Sequence, residues 1–298
     1  MFAEKRIKEA YENASRIHFA SDARLVLMSD THRGDGSWCD DFANNQAVFF
    51  HALNYYDGKG FTYIELGDGD ELWKNRRFTE IANQHSHIFW LLRQMYEANR
   101  FLMLHGNHDM VKRSPKWNLK NLNQVYNERL DRKTPLFPGI PAIEAAVITL
   151  EEPKGELFLL HGHQADFPND KLWRINRFLV RHLWKPVELM GGRDPTRAAK
   201  NYKKMNKVEQ KLTRFANKNG VLTIAGHTHR PVFPDPGKSL YFNDGSAVHP
   251  RCITAIEIDN GRICLIKWSV APRSDGTLAV MREFLEEPKG LDEYFAAR

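Results

Sequence analysis

The chain has 298 residues, 42% of them apolar and 27% charged, with a net charge of +6. That length suits one large domain with an insertion or two small domains, and the composition is that of a soluble globular protein rather than a disordered one. No run of about 18 apolar residues occurs, and Met1 to Ala20 is charged without an apolar signal core, so neither a membrane span nor export is expected.

In chain order, Arg24 to Asp30 reads as a short buried strand entering a polar turn. Asn44 to Tyr56 has helical apolar spacing, and Phe61 to Gly67 is a second strand ending on a Gly-Asp turn. Residues 79 to 98 return to helical periodicity, and Arg100 to Leu104 is a third strand. This alternation predicts parallel strands with helical crossovers, an α/β core. After Pro141 the pattern becomes strand-rich. Ala145 to Leu150 and Glu156 to Leu160 flank a Pro-Lys-Gly turn as a hairpin, followed by strands at 221–225, 240–243, 253–258 and 263–268.

Between these strands lies a basic stretch. Lys171 to Lys218 holds 14 Lys and Arg against three carboxylates. Trp173, Ile175, Phe178, Leu179 and Leu183 suit one helix ending near Pro186. A second, at 197–218, repeats Arg197, Lys200, Lys204, Lys207, Lys211, Arg214 and Lys218 at steps of three and four, along one face. Tyr202, Met205, Leu212 and Phe215 form a packing face. Residues 165 to 220 therefore read as a helical cap inserted between core strands. Such charge asymmetry steers anions, although a stripe of this kind is also compatible with a solvated surface.

Five clusters of unusual residues fall where strands end. They are Ser29-Asp30-Thr31-His32, Gly67-Asp68, Gly106-Asn107-His108-Asp109, Leu160-His161-Gly162-His163 and Ala225-Gly226-His227-Thr228-His229. Strand ends present side chains to a shared cleft. Asp30 and His32, two residues apart, point the same way and can share an ion. Each cluster alone is weak evidence, but their joint placement points to metal. Imidazole, carboxylate and amide oxygen suit Mn, with Fe, Zn or Co as alternatives, and the lack of thiolate argues against structural zinc. Cys39, Cys252 and Cys264 are too few for a disulfide framework and predict reduced thiols in the cytoplasm.

The order D-x-H, G-D, G-N-H-D, H, G-H-x-H, from Asp30 to His229, resembles the signature of the calcineurin-like metallophosphoesterase superfamily. The resemblance implies a four-layer sandwich of two mixed sheets flanked by helices. It implies one divalent ion on Asp30, His32 and His229, another on Asn107, His161 and His227, and Asp68 bridging through both oxygens. In-line attack on phosphorus by a water activated between the cations would follow. His108 would protonate the leaving group or stabilise the transition state, oriented by Asp109 or Glu71. His163 reads as a supporting residue, and His85 and His87 as structural ones.

Gly67-Asp-Gly-Asp-Glu-Leu-Trp73, His161-Gly162 ahead of a basic cap, and Gly226-His-Thr-His-Arg-Pro231 look like the UDP-2,3-diacylglucosamine diphosphatase branch. The chain departs from it in carrying His108 where that branch has Arg, and in Tyr241-Phe-Asn-Asp-Gly-Ser-Ala-Val-His-Pro250. Arg33 is a candidate phosphate clamp or a solvated surface residue. Lys200 and Lys204 are candidates to hold an anionic, phosphate-containing small molecule or lipid-linked substrate, with peripheral contact to an anionic membrane. A nuclease acting along a phosphate backbone and a metal-free scaffold are the alternatives.

Overall fold

The computed structural model describes residues 2–127, 130–190 and 202–296. The first half runs α1 (Phe2–Glu12), β1 (Ser15–Phe19), β2 (Arg24–Met28), α2 (Gln46–Gly58), β3 (Thr62–Leu66), α3 (Phe78–Gln84), α4 (Ser86–Glu97), β4 (Phe101–Leu104) and α5 (Pro115–Asn121). A small hairpin, β5 (Gln124–Asn127) and β6 (Arg132–Pro135), leads to β7 (Ala145–Leu150) and β8 (Glu156–Leu160). Next come α6 (Phe167–Lys171), α7 (Trp173–Leu179), α8 (Lys185–Leu189) and α9 (Tyr202–Asn219). The chain finishes with β9 (Leu222–Ala225), β10 (Tyr241–Asn243), β11 (Cys252–Asp259), β12 (Arg262–Pro272), β13 (Leu278–Gly290) and α10 (Leu291–Ala296).

The strands form two large mixed sheets. One has the order β1-β7-β8-β9-β10 and the other β13-β12-β11-β2-β3-β4. β2, β3 and β4 pair in parallel, and β7 and β8 form the expected antiparallel hairpin. Strand alternation builds the layers. Leu25, Leu27, Ile64 and Leu66 face the other sheet, whereas Val26, Met28, Tyr63 and Met103 pack against α2, α3 and α4. Both faces are covered, so these strands read as unbroken apolar runs. On the far side, Ile7 and Ala10 of α1 and Val208, Leu212 and Phe215 of α9 cover the first sheet. Helix, sheet, sheet, helix is the four-layer sandwich anticipated.

Several local expectations change. The helix expected at 79–98 is two, broken at His85, whose backbone leaves helical geometry and whose Nε2 lies 3.1 Å from the buried Asp40 carboxylate. Pro186 does not end a helix. A π-turn at Val180–Trp184 keeps the backbone helical into α8, where Pro186 sits in the first turn and needs no N–H partner. Of the apolar residues expected on that helix, only Trp173 is buried; Ile175, Phe178, Leu179 and Leu183 are exposed. Arg197 and Lys200 lie outside the described residues. The cap is tied to the core by Arg181, which donates to the carbonyls of Leu72, Trp73 and Asn75.

Candidate metal centre

The five clusters converge at the C-terminal ends of β2, β3, β4, β8 and β9. Asp30, His32 and His229 bring one donor atom each within 4.8 Å of one another, and so do Asp68, His161 and His227. His229 Nε2 lies 3.0 Å from Asp30 Oδ1, and His161 Nε2 lies 3.2 Å from Asp68 Oδ2. The backbone is forced to make this possible. Asp30, His32, Asp68, His227 and His229 all have φ between 47° and 69°. That left-handed region is uncommon outside glycine, and residues held there cluster at functional sites.

One oxygen of each aspartate is committed to the scaffold. Asp30 Oδ2 accepts the Ser29 hydroxyl and the His227 backbone N–H at 2.8 Å, leaving Oδ1 toward the histidines. Asp68 Oδ1 accepts the His108 backbone N–H at 2.7 Å, and only Oδ2 is approached by both His161 and His32, the latter at 3.8 Å. Oδ2 is thus the Asp68 oxygen that faces histidines of both donor groups. Gly106 permits that approach, because a Cβ there would sit 2.1 Å from Asp68 Oδ1.

Cations fit this donor set. Asp30 Oδ1, His32 Nε2, Asn107 Oδ1 and His161 Nε2 are buried without a hydrogen-bond partner, a costly arrangement unless a ligand completes it. Burial opposes charge on Asp30, yet the neighbouring His229 and His161 rings hold its carboxyl well below the ordinary range. Asp68 is likewise lowered against its burial by His161 and His108. Burial also acts against charge on His161, but Asp68 and Asp30 raise it to about 9.

His108 is placed by three neighbours. Its Nδ1 lies 2.9 Å from Glu71, its ring stacks on Trp73 at 4.1 Å, and it meets the edge of His32 at 4.6 Å. The choice between Asp109 and Glu71 as orienter resolves to Glu71. Asp109 instead accepts the backbone N–H groups of Gly106, Asp68 and Gly69, pinning two metal loops together.

Arg33 is corrected. It is fully buried, donates to Asp70 at 2.9 Å and Glu65 at 2.7 Å, and lies over the Phe89 ring. It neither clamps substrate nor meets solvent. Lys112 joins it by pairing with Asp70 and Asp109 at 2.7 and 2.8 Å. His163 is buried beside His161, and burial pushes its pKa well down. The nearby Glu144 and Asp170 carboxylates are already paired with Arg6. Lys204 reaches the centre's edge through Asp166, 2.9 Å away.

The segment that matched no motif braces the loops from behind. Asn243 donates to the Gly226 carbonyl at 2.7 Å, Ala247 N–H to the Asp30 carbonyl at 3.3 Å, and the His249 ring contacts the His229 carbonyl at 2.8 Å. The Asn-Asp-Gly-Ser turn after a short strand was the signal available for it.

Two mixed sheets bearing paired His/Asp donor groups at their strand ends define the class of metal-dependent phosphoesterases. The calcineurin-like phosphoesterase family model matches residues 23–231, and the chain belongs to that family. A search of curated proteins finds no match. Among solved structures, the chain is similar to vacuolar protein sorting 29 from Cryptosporidium parvum, with 14% identity, 89% of this chain and 98% of that one covered, and a TM-score of 0.37. It is also similar to Vps29 from Chaetomium thermophilum, with 12% identity, coverage of 89% and 96%, and a TM-score of 0.42.

Proposed function

We propose that the chain hydrolyses a phosphoester or pyrophosphate bond in a small or lipid-linked anionic substrate. The observation that carries this reading is the His108–Glu71 pair beside two converging donor groups, Asp30–His32–His229 and Asp68–His161–His227, with the buried Asn107 Oδ1 left without a hydrogen-bond partner. Asp30, His32 and His229 would hold one divalent cation and Asn107, His161 and His227 the other, with Asp68 shared. Such cations, Mn foremost, supply water activation and neutralise phosphoryl oxygens. Glu71 fixes Nδ1 of His108, so Nε2 is the atom left to deliver a proton to the departing oxygen. Trp73 covers one face of that ring and limits water access to it.

The cap supports the substrate class. It exposes Ile175, Phe178, Leu183 and Leu189 in a stretch that also carries Arg174 and Arg177, a mixture suited to an acyl-bearing phosphate at an anionic membrane surface. This is the chemistry of the diacylglucosamine diphosphatase branch. The cysteines are free, in keeping with a cytoplasmic setting.

Purified protein is expected to bind two Mn per chain and to cleave p-nitrophenyl phosphate or bis-p-nitrophenyl phosphate only with metal. UDP-diacylglucosamine is expected to surpass nucleotide sugars, cyclic nucleotides and single-stranded DNA. Fewer than two metals with no Mn-dependent turnover sinks the hydrolase reading and favours a scaffold; preference for DNA favours the nuclease.

A further inference from the structure

We propose that Asp166 is a positioning residue for the second metal site and that the cap helix α9 holds it there through Lys204. The inference rests on the metal-centre reading above. Asp166 is buried at the start of α6, and its Oδ2 lies 3.4 Å from Nε2 of His227. A neutral imidazole has one N–H, and a carboxylate acceptor at Nε2 fixes the proton on that nitrogen. That leaves Nδ1 as the nitrogen free to ligate a cation in the donor group that His227 shares with Asp68 and His161. Carboxylates that orient a ligating histidine in this way tune metal affinity about 10–100-fold.

A buried carboxylate needs partners of its own. Asp166 has Lys204 Nζ at 2.9 Å and Asn169 Nδ2 at 2.8 Å. Lys204 stands in the first turn of α9, separated from α6 by some thirty residues of chain, so the first and last helices of the cap meet on this one carboxylate. The helix grips the same loop again further along. Glu209 pairs with Arg230 at 2.8 Å, next to His229, and Lys211 donates to the Ala165 carbonyl at 2.8 Å, next to Asp166. α9 therefore reaches the Gly226-His-Thr-His229 loop indirectly, through Asp166 to His227 and through Arg230, the neighbour of His229. Lys204, a candidate to hold substrate, also ties the cap to the carboxylate that faces His227.

The test compares D166A, D166N, K204M and K204R with wild type by Mn calorimetry and by electron paramagnetic resonance of the loaded pair. In wild type, two equivalents and a spin-coupled signal are expected. D166A is expected to retain one tight equivalent and lose the other by about 10–100-fold, replacing the coupled signal with that of a single ion. D166N, which keeps the shape without the charge, should weaken the same equivalent and serves if D166A does not fold. K204M should weaken it less, and K204R should restore it. Equal, unchanged affinities in D166A or D166N overturn the proposal, as does a lowered melting temperature with both affinities intact, which marks a purely structural ion pair. A wild-type protein that binds no Mn overturns the metal centre itself.

Discussion

Glu71 stands between His32 and His108, with its carboxylate 3.1 Å from Nδ1 of the first and 2.9 Å from Nδ1 of the second. Burial disfavours its charge, but His108 and His32 hold its carboxyl well below the ordinary range. One carboxylate thus orients a candidate metal ligand and the candidate acid together. Glu71→Gln, which removes the charge and turns one of the two oxygens into an NH2 donor, is expected to lower turnover about 10–100-fold and weaken one Mn equivalent. His108→Ala should lower turnover about 10²–10⁴-fold while both equivalents remain. Steady-state kinetics with metal analysis separates the two; metal loss in His108→Ala would make His108 a ligand.

Arg33 predicts a stability effect rather than a binding effect. Removing it leaves Glu65 and Asp70 in the core with Lys112 as the one cation that pairs with both among the described residues. Arg33→Met is expected to cost about 3–5 kcal/mol in urea unfolding. A KM change at unaltered stability would contradict this placement.

Metal should stabilise the fold measurably. The left-handed ligand backbones and the orphaned donors both cost free energy without a cation. At a hundredfold excess over Kd, Mn is expected to add about 2.7 kcal/mol, and EDTA to remove it, in a thermal melt. A melting temperature indifferent to both would rule out a preformed site.

Cys264 is set apart by its surroundings. Burial and the neighbouring Glu257 push its thiol up to about 12 from a usual 9. The folded state keeps this proton more tightly than the unfolded one, so the stabilisation is full below pH 9 and disappears as pH climbs toward 12. At pH 8 the folded protein should resist labelling at Cys264 by a disulfide reagent, and denaturant should release it. Rapid labelling of the native protein at this position would refute the burial.

The legible and illegible parts of the sequence divide along physical lines. Asp30, Asp68, Asn107, His161 and His227 each end or follow an apolar strand, and that coincidence is visible in one dimension. Glu71 lies three residues past Asp68 in a loop with no period, so it stood only as one of two orienters for His108, and its contact with His32 was invisible. Arg33 looked hydrophilic because Glu65 and Asp70, its partners, meet it only when β2 and β3 pair. β1 was missed because it is a half-exposed edge strand whose Ser-Arg-Ile-His-Phe run lacks an apolar core.

The brace formed by residues 243–249 bears on how this protein can be divided. The family match stops at residue 231, yet Asn243, Ala247 and His249 support the loops that carry Asp30, His227 and His229. β11 also lies beside β2 in the middle of its sheet. A fragment cut at the edge of the recognisable region would contain all seven donors but expose the flank of β2 and leave those loops unsupported. The smallest working unit of this protein is longer than its signature, and expression trials should run through β11 and β12.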